Sequence, residues 1–427
     1  MTTDFEHFVN RVDIQGVEVD DLGCKTIVLL QDNKWKDNRS MLTPIYTTSK
    51  LKYMYGLLND CMEEFVSVYE GKAKANGNNI EIDTLNVFAR VTADGIVTTA
   101  LGFKGDCVTK EDSLIYKVAK ALDEDFTNQT NLALMLLFPR IFKLLGMQVF
   151  RKLIHDFFLV NVLDEIHRRS EGKITRPDAI QLLIQAKLGQ LKLEAGDAEE
   201  LSFIKSKVKK LLDLTDEDLV AHALSFFLGG FNTTATFMQA MSFELANNPE
   251  IQQVLIKEVD EMLETLDGEM ISYDQLNKMK FLEMVINECL RKWPSFRALT
   301  RVCSKDCRFV DEETGKKFTI RKDTDVWIPL VEIQMNPKYF PNPTKFDPYR
   351  FSDENKENIK VGTFIPFGAG PRMCIGSRYA LLEAKLLLFK LLAKFSIEKC
   401  DRTPTKLTPN KGVTGYDEDV SVILKLR

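Results

Sequence analysis

The sequence predicts a mainly α-helical protein with small β-sheets (α+β), and three observations predict it. Apolar residues recur at three-to-four spacing along most of the 427-residue chain. Strand-like alternation is confined to short pieces at 317–320, 325–330 and 420–426. No Pro/Gly/Ser-rich linker, internal repeat or long low-complexity stretch divides the sequence, so residues 1–427 read as a single domain, although domains commonly hold roughly 100–200 residues. With 44% hydrophobic and 28% charged residues the chain can bury a large core.

The elements follow in order. From Trp35 to about Tyr69, Leu51, Met54, Leu57, Leu58, Met62 and Phe65 mark helical spacing. Helical patterns return over 132–166, interrupted by Pro139 and Gly146, and over 178–188 and 201–212. The polar stretches 169–176 and 196–200 read as surface loops. The longest helical signal runs from Thr215 to about Asn247 and opens on a capping box formed by Thr215 and Asp218. Pro249 restarts a helix from its first turn, carried by Val254, Ile256, Val259 and Leu263. A further helix holds 281–291 and stops before Pro294. The last runs from Ala380 to Phe395.

Composition narrows the function. A net charge of −5 argues against nucleic acid, whose binders carry basic domains or stripes, and leaves small molecules as partners. The eight cysteines are too few for a disulfide scaffold and form no CxxC pair, which points to a reducing compartment. The first residues contain neither the apolar core of a signal peptide nor a membrane span of about 18 apolar residues.

Chemistry concentrates in residues 364–376, Phe-Ile-Pro-Phe-Gly-Ala-Gly-Pro-Arg-Met-Cys-Ile-Gly, which lead into the final helix. A lone cysteine in a cytosolic protein is ordinarily a small buried hydrophobe. Cys374 differs by position, because a helix N-terminus favours a thiolate, and a thiolate binds metal. Gly368 and Gly370 remove side chains where a flat macrocycle approaches the backbone, Arg372 supplies a cation, and Phe367 shields the sulfur. A dinucleotide loop would need a small residue where Met373 stands.

Together these residues match Phe-x-x-Gly-x-Arg-x-Cys-x-Gly, and the chain resembles the cytochrome P-450 family. The resemblance implies a haem held between a long distal helix and the proximal cysteine-loop helix. It makes Cys374 the ligand of the iron, with Phe367, Gly368, Arg372 and Gly376 around haem b (iron protoporphyrin IX). Trp35-x-x-x-Arg39 is similar to the family helix that faces the haem propionates, and Arg301 resembles a further propionate partner on a strand. Glu288 and Arg291 resemble two members of a structural triad completed by Arg350; Tyr349 departs from the acid often beside it.

Within the long helix, Gly229-Gly-Phe-Asn-Thr-Thr234 resembles the family's oxygen-activating segment. Paired helix glycines cost roughly 1 kcal/mol each; here they make room at the cofactor, with Gly230 against it, or form a packing notch. The resemblance identifies Thr233 as the oxygen-activating threonine, its hydroxyl donating to bound oxygen. Asn232 stands where the family has Asp or Glu, so an amide replaces the carboxylate of the proton path. Phe226, Phe227, Phe231, Thr234 and residues 296–299 are candidate pocket residues, with core packing as the alternative.

The resemblance implies a monooxygenase in which the thiolate pushes electron density onto iron, favouring O–O cleavage and transfer of one oxygen atom from O2 to an apolar small molecule. The substrate expected is a xenobiotic, a steroid or a fatty-acid-like compound. Electrons are expected from NADPH through cytochrome P-450 reductase, with cytochrome b5 as an optional second donor; Lys385, Lys390 and Lys394 read as a solvated helix face or as a candidate docking face. The phrasing is most similar to the microsomal branch and its insect members. Their membrane anchor, hinge and first sheet strands have no counterpart here, so the reading is of an N-terminally incomplete form whose complete protein lies on the cytosolic face of the endoplasmic reticulum membrane. The alternatives are a haem-thiolate isomerase or dehydratase of peroxides, and an inactive truncated form.

Overall fold

A computed structural model describes residues 4–11, 21–127, 130, 134, 138–147, 150–172, 175–191, 214–311, 314–410 and 415–427. The helices that position the site are α1 (Asp32–Leu42), α2 (Thr48–Ala75), α3 (Thr84–Ile96), α4 (Leu114–Thr127), α5 (Pro139–Leu144), α6 (Ala179–Lys187), α7 (Asp216–Gly230), α8 (Asn232–Asn247), α9 (Pro249–Leu266), α10 (Lys280–Lys292) and α11 (Ser377–Leu392). The sheets are small and antiparallel. β1 (Asn79–Asp83), β7 (Ser421–Leu426) and β6 (Phe395–Lys399) form one with β7 central, while β2 (Ala298–Val302) pairs with β5 (Asp325–Pro329) and β3 (Cys307–Val310) with β4 (Lys317–Ile320).

Local chemistry accounts for the boundaries. In α2, Leu51, Met54, Leu58, Met62 and Phe65 are buried along one stripe, each side chain contributing about 1.5–3 kcal/mol. At the start of α7 the Thr215 hydroxyl accepts from the Asp218 N–H at 3.1 Å while the Asp218 carboxylate accepts from the Thr215 N–H at 2.9 Å, closing the expected capping box. Pro249 occupies the first turn of α9. One core cluster reaches from Val9 to Leu424.

Several expectations change. The long helix breaks at Phe231 (φ −76°, ψ −76°) into α7 and α8. Two glycines precede the break, and the Thr233 hydroxyl donates to the Gly229 carbonyl at 2.6 Å; side-chain back-bonding of this kind bends helices. The final helix spans Ser377–Leu392, because Phe395 and Ile397 point inward with strand period. Leu330 opens a short helix instead of ending β5. Residues 169–176 are no simple surface loop: Arg169 is buried and bonds Glu165 at 2.8 Å and Asp178 at 2.6 Å. The helix expected over 201–212 and the loop expected over 196–200 lie outside the described residues.

Glu288 and Arg291, both fully buried in α10, form a bidentate pair at 2.7 and 2.8 Å, and Arg350 reaches the same carboxylate at 3.4 Å. Arg291 also donates to the carbonyls of Gln334 and Pro343 at 2.9 and 2.8 Å, tying α10 to the short helix that Leu330 opens and to the segment after it. Glu288→Ala leaves that guanidinium buried without its carboxylate. It is expected to destabilise the protein by about 3–5 kcal/mol, read as a lower urea midpoint; an unchanged midpoint contradicts the reading.

The two glycines before the break differ. A Cβ on Gly230 would sit 2.6 Å from Ile96 Cδ1 and 2.8 Å from its Cγ1, whereas one on Gly229 meets nothing within 4 Å. Gly230 therefore lets α7 approach α3. Gly230→Ala is expected to lower thermal stability by about 1–3 kcal/mol through overpacking, and Gly229→Ala to leave it unchanged or raised by up to about 1 kcal/mol. Melting curves of the two variants check this; equal losses would contradict it.

Candidate functional site

The cysteine segment is shaped by its glycines. Gly368 (φ +79°) and Gly370 (φ +74°) take left-handed conformations that other residues adopt only under strain. Two turns result, Gly368 N–H to Ile365 at 2.8 Å and Met373 N–H to Gly370 at 2.9 Å, and the Cys374 N–H then donates to Phe367 at 2.9 Å. Gly376 caps α11, and its N–H points at the Cys374 sulfur. A Cβ on Gly376 would meet Tyr46 at an ordinary 3.7 Å, so sterics do not demand glycine there.

Cys374 has accessible surface yet lies deep in the protein, so its thiol opens onto interior space. Burial pushes the thiol up, while the Gly376 N–H, Arg39 and Arg11 favour the thiolate. Arg39 projects from α1, one turn after Trp35. Arg372 is buried against the Trp35 ring, its guanidinium carbon 3.9 Å from the centroid, and donates to Val9 at 2.7 Å and Leu30 at 3.1 Å. Arg301, on β2, donates to the Thr300 carbonyl at 2.7 Å.

These cations depress one another. Burial, then Arg11, Arg301 and Arg39, bring Arg372 down to about 9, with Asp32 opposing; burial, then Arg11, bring Arg301 down to about 10. Burial also lowers Arg11 and Arg39. Close like charges repel by a few kcal/mol at an effective dielectric of about 20, and Asp32 opposes the shift of Arg372 alone among the four. Such a cluster fits a ligand carrying two anionic groups, and the thiol beside it fits a metal at that ligand's centre. The residues present therefore fit a haem with its two propionates.

The segment expected to face the cofactor from the other side is the α7–α8 break. Gly229 is exposed to the interior space, and Thr233 is half-buried. Gly230, expected at the cofactor, packs instead on Ile96. A carbonyl can only accept, so the Thr233 hydroxyl donates to Gly229 and turns its oxygen outward as an acceptor, reversing the expected donor role. Asn232 donates through Nδ2 to the Asp123 carboxylate on α4 at 2.5 Å.

Other expectations move. Phe226 lies edge-on to Tyr46 at 5.7 Å, Phe227 stacks on Phe231 at 6.0 Å, and all three phenylalanines are core. Thr234 is buried beside Glu383. Leu299 stays near the site, 3.7 Å from where a Cβ of Gly368 would stand. The lysines do not form a docking face: Lys385 and Lys390 are buried against Glu283 and Glu63, and Lys394 lies 3.9 Å from Glu70.

Sequence reasoning missed Arg11, which stands alone on an irregular segment, and Glu383. The latter carried a signal, an acid inside the apolar run Leu381 to Phe389. It is fully buried, its oxygens have no hydrogen-bond partner, and burial pushes its carboxyl up to about 8 against the Thr234 contact.

Comparison with known proteins identifies the family. The family model described as "Cytochrome P450" matches residues 1–419. "Probable cytochrome P450 9f2" of Drosophila melanogaster is 36% identical over 92% of this chain and 75% of its own length. "Cytochrome P450 9e2" of Blattella germanica is also 36% identical, over 96% and 77%, and "Cytochrome P450 6A1" of Musca domestica is 31% identical, over 95% and 76%. A signature cysteine ahead of a helix, a cationic cluster suited to propionates and a likeness spanning nearly the whole chain lead to one conclusion: the chain belongs to the cytochrome P450 family of haem-dependent monooxygenases.

Proposed function

We propose that residues 1–427 act as one haem b domain in which Cys374, as thiolate, ligates the iron and Arg11, Arg39, Arg301 and Arg372 hold the propionates. The observation that carries this reading is the convergence of these four cations around a thiol open to interior space. Bound there, haem supplies the activation of dioxygen and the transfer of one oxygen atom to substrate.

The chain's residues divide the remaining work. Phe367 and the turns at Gly368 and Gly370 fix the sulfur and limit its access to water. The Gly376 N–H and the arginines lower the cost of holding it as thiolate. Trp35 is the platform for Arg372. Thr233, its proton committed to Gly229, offers its oxygen to a proton-bearing group at the distal face. Leu299 and the half-buried residues beside it give that space an apolar border, which suits an apolar substrate of the xenobiotic, steroid or fatty-acid-like kind.

We also infer delivery of electrons from NADPH through a flavoprotein reductase, with cytochrome b5 as a second donor, and residence on the endoplasmic reticulum membrane. Supporting the membrane is a ridge around α5, where Phe138, Ile141, Leu144 and Leu145 are exposed; large apolar patches mark membrane or protein contacts. No helix among the described residues is long and apolar enough to cross a membrane.

Isotope labelling separates oxygenation from peroxide rearrangement. With NADPH, reductase and an alkoxycoumarin probe, one labelled atom per product is expected from 18O2, and Thr233→Ala is expected to cut the yield per NADPH by at least about tenfold, against the roughly hundredfold or more that a positioned proton-transfer group contributes. Conversion of a fatty-acid hydroperoxide without reductase, together with no label in any NADPH-dependent product, would contradict the reading.

A further inference from the structure

Asn232 puts an amide where proton delivery calls for an acid, but the structure brings an acid to that amide from another helix. Asn232 Nδ2 donates to Asp123 Oδ1 at 2.5 Å, and Asn232 Oδ1 accepts from Thr236 at 3.4 Å, so the amide is oriented from both ends. Asp123 stands near the end of α4, half-buried, with one carboxylate oxygen on the amide beside Thr233. We propose that Asp123 is the proton-supplying group of the distal site, a positioning residue that Asn232 orients and that acts through intervening water on Thr233, so that α4 provides the acid that α8 lacks.

The surroundings suit this task. Burial first, then Glu124, push the Asp123 carboxyl up to about 6, with Asn232 opposing. Glu124 is itself held by Arg151 at 3.0 Å, and Arg151 donates to Asp125 at 2.6 and 2.9 Å. Tyr116 lies on the same helix and is covered by Arg90 of α3, 3.9 Å from its ring centroid, so that cation is committed to the ring. Asn232 is the polar group facing the carboxyl from α8. A carboxyl raised into this range is protonated below about pH 6 and ionised above it, and an acid matched to working pH both gives and regains protons readily.

The step balances as follows. The protonated carboxyl gives its proton through water toward Thr233 and becomes carboxylate, which then takes a proton from bulk water. Two such cycles accompany the two electrons from the redox partner: substrate, O2, two protons and two electrons give hydroxylated product and one water. The amide only orients the carboxyl, since it cannot readily lose a proton.

This inference rests on the reading of Cys374 and Thr233 above, and the test separates the two. The reductase-bound holoenzyme is compared with Asp123→Asn, Asp123→Glu and the double variant Asp123→Asn with Asn232→Asp. The readouts are oxygen-dependent NADPH consumption and the infrared C–O stretch of the carbon-monoxide complex, each across about pH 5–8, a span bracketing the raised carboxyl. Expected is a stretch whose pH dependence centres near 6 in the parent and vanishes in Asp123→Asn. Consumption in that variant falls at least about tenfold, is restored in part by Asp123→Glu and recovers when the acid returns at 232. A pH-independent stretch in the parent, or unchanged consumption in Asp123→Asn with its thiolate carbon-monoxide spectrum intact, overturns the proposal while leaving the haem reading standing. Loss of that spectrum in the parent would overturn both.

Discussion

Four guanidinium groups brought together in a protein interior constitute the constraint around which this molecule is arranged. Arg11 comes from the front of the chain, Arg39 from α1, Arg301 from β2 and Arg372 from the cysteine segment. Each is depressed by burial, and Arg372 is held in place by backbone carbonyls of the front segment and the face of Trp35. Such a cluster is costly unless an anion joins it. A dianionic cofactor held there, as proposed, would offset that cost, since anything that binds the folded state alone stabilises it by mass action. On that proposal, cofactor binding and folding would be coupled through these four residues.

The opposite wall is set by a second local conflict. Two glycines and a back-bonding threonine interrupt what would otherwise be an uninterrupted helix at the point where helix packing is tightest. The glycines divide the labour, Gly230 admitting Ile96 and Gly229 leaving open space toward the interior. The threonine donates to the Gly229 carbonyl at the break, which leaves its own oxygen as an acceptor. Chemistry at this wall thus depends on a backbone irregularity whose cost is borne by the packing of α7 and α8 on α3.

Much of this was legible in the sequence, and the misses share a cause. The cysteine motif, the Glu288–Arg291 pair, the capping box at Thr215 and the Pro249 start are local patterns, and local patterns survive into the fold, whereas Arg350 was expected beside that pair only through the family resemblance. Arg11 and Asp123 belong to the site through tertiary contact alone, so spacing could not reveal them. The lysines of α11 looked solvated because lysines usually are, yet Glu63 and Glu283 cover them from other helices. Phe226, Phe227 and Phe231 carry the same apolar signal whether they line a pocket or fill a core, and burial decides for the core. The break at Phe231 was hidden because the hydrophobic period continues through it.

The difference spectrum of dithionite-reduced protein with and without carbon monoxide, taken on the parent chain and on Cys374→Ala expressed with haem supply, tests the central claim most directly. The account predicts a long-wavelength Soret band of a thiolate-ligated haem in the parent and its loss in the variant. A parent that is folded and soluble but lacks the band, or a variant that keeps it, would contradict the assignment of Cys374 and of the charge cluster built around it.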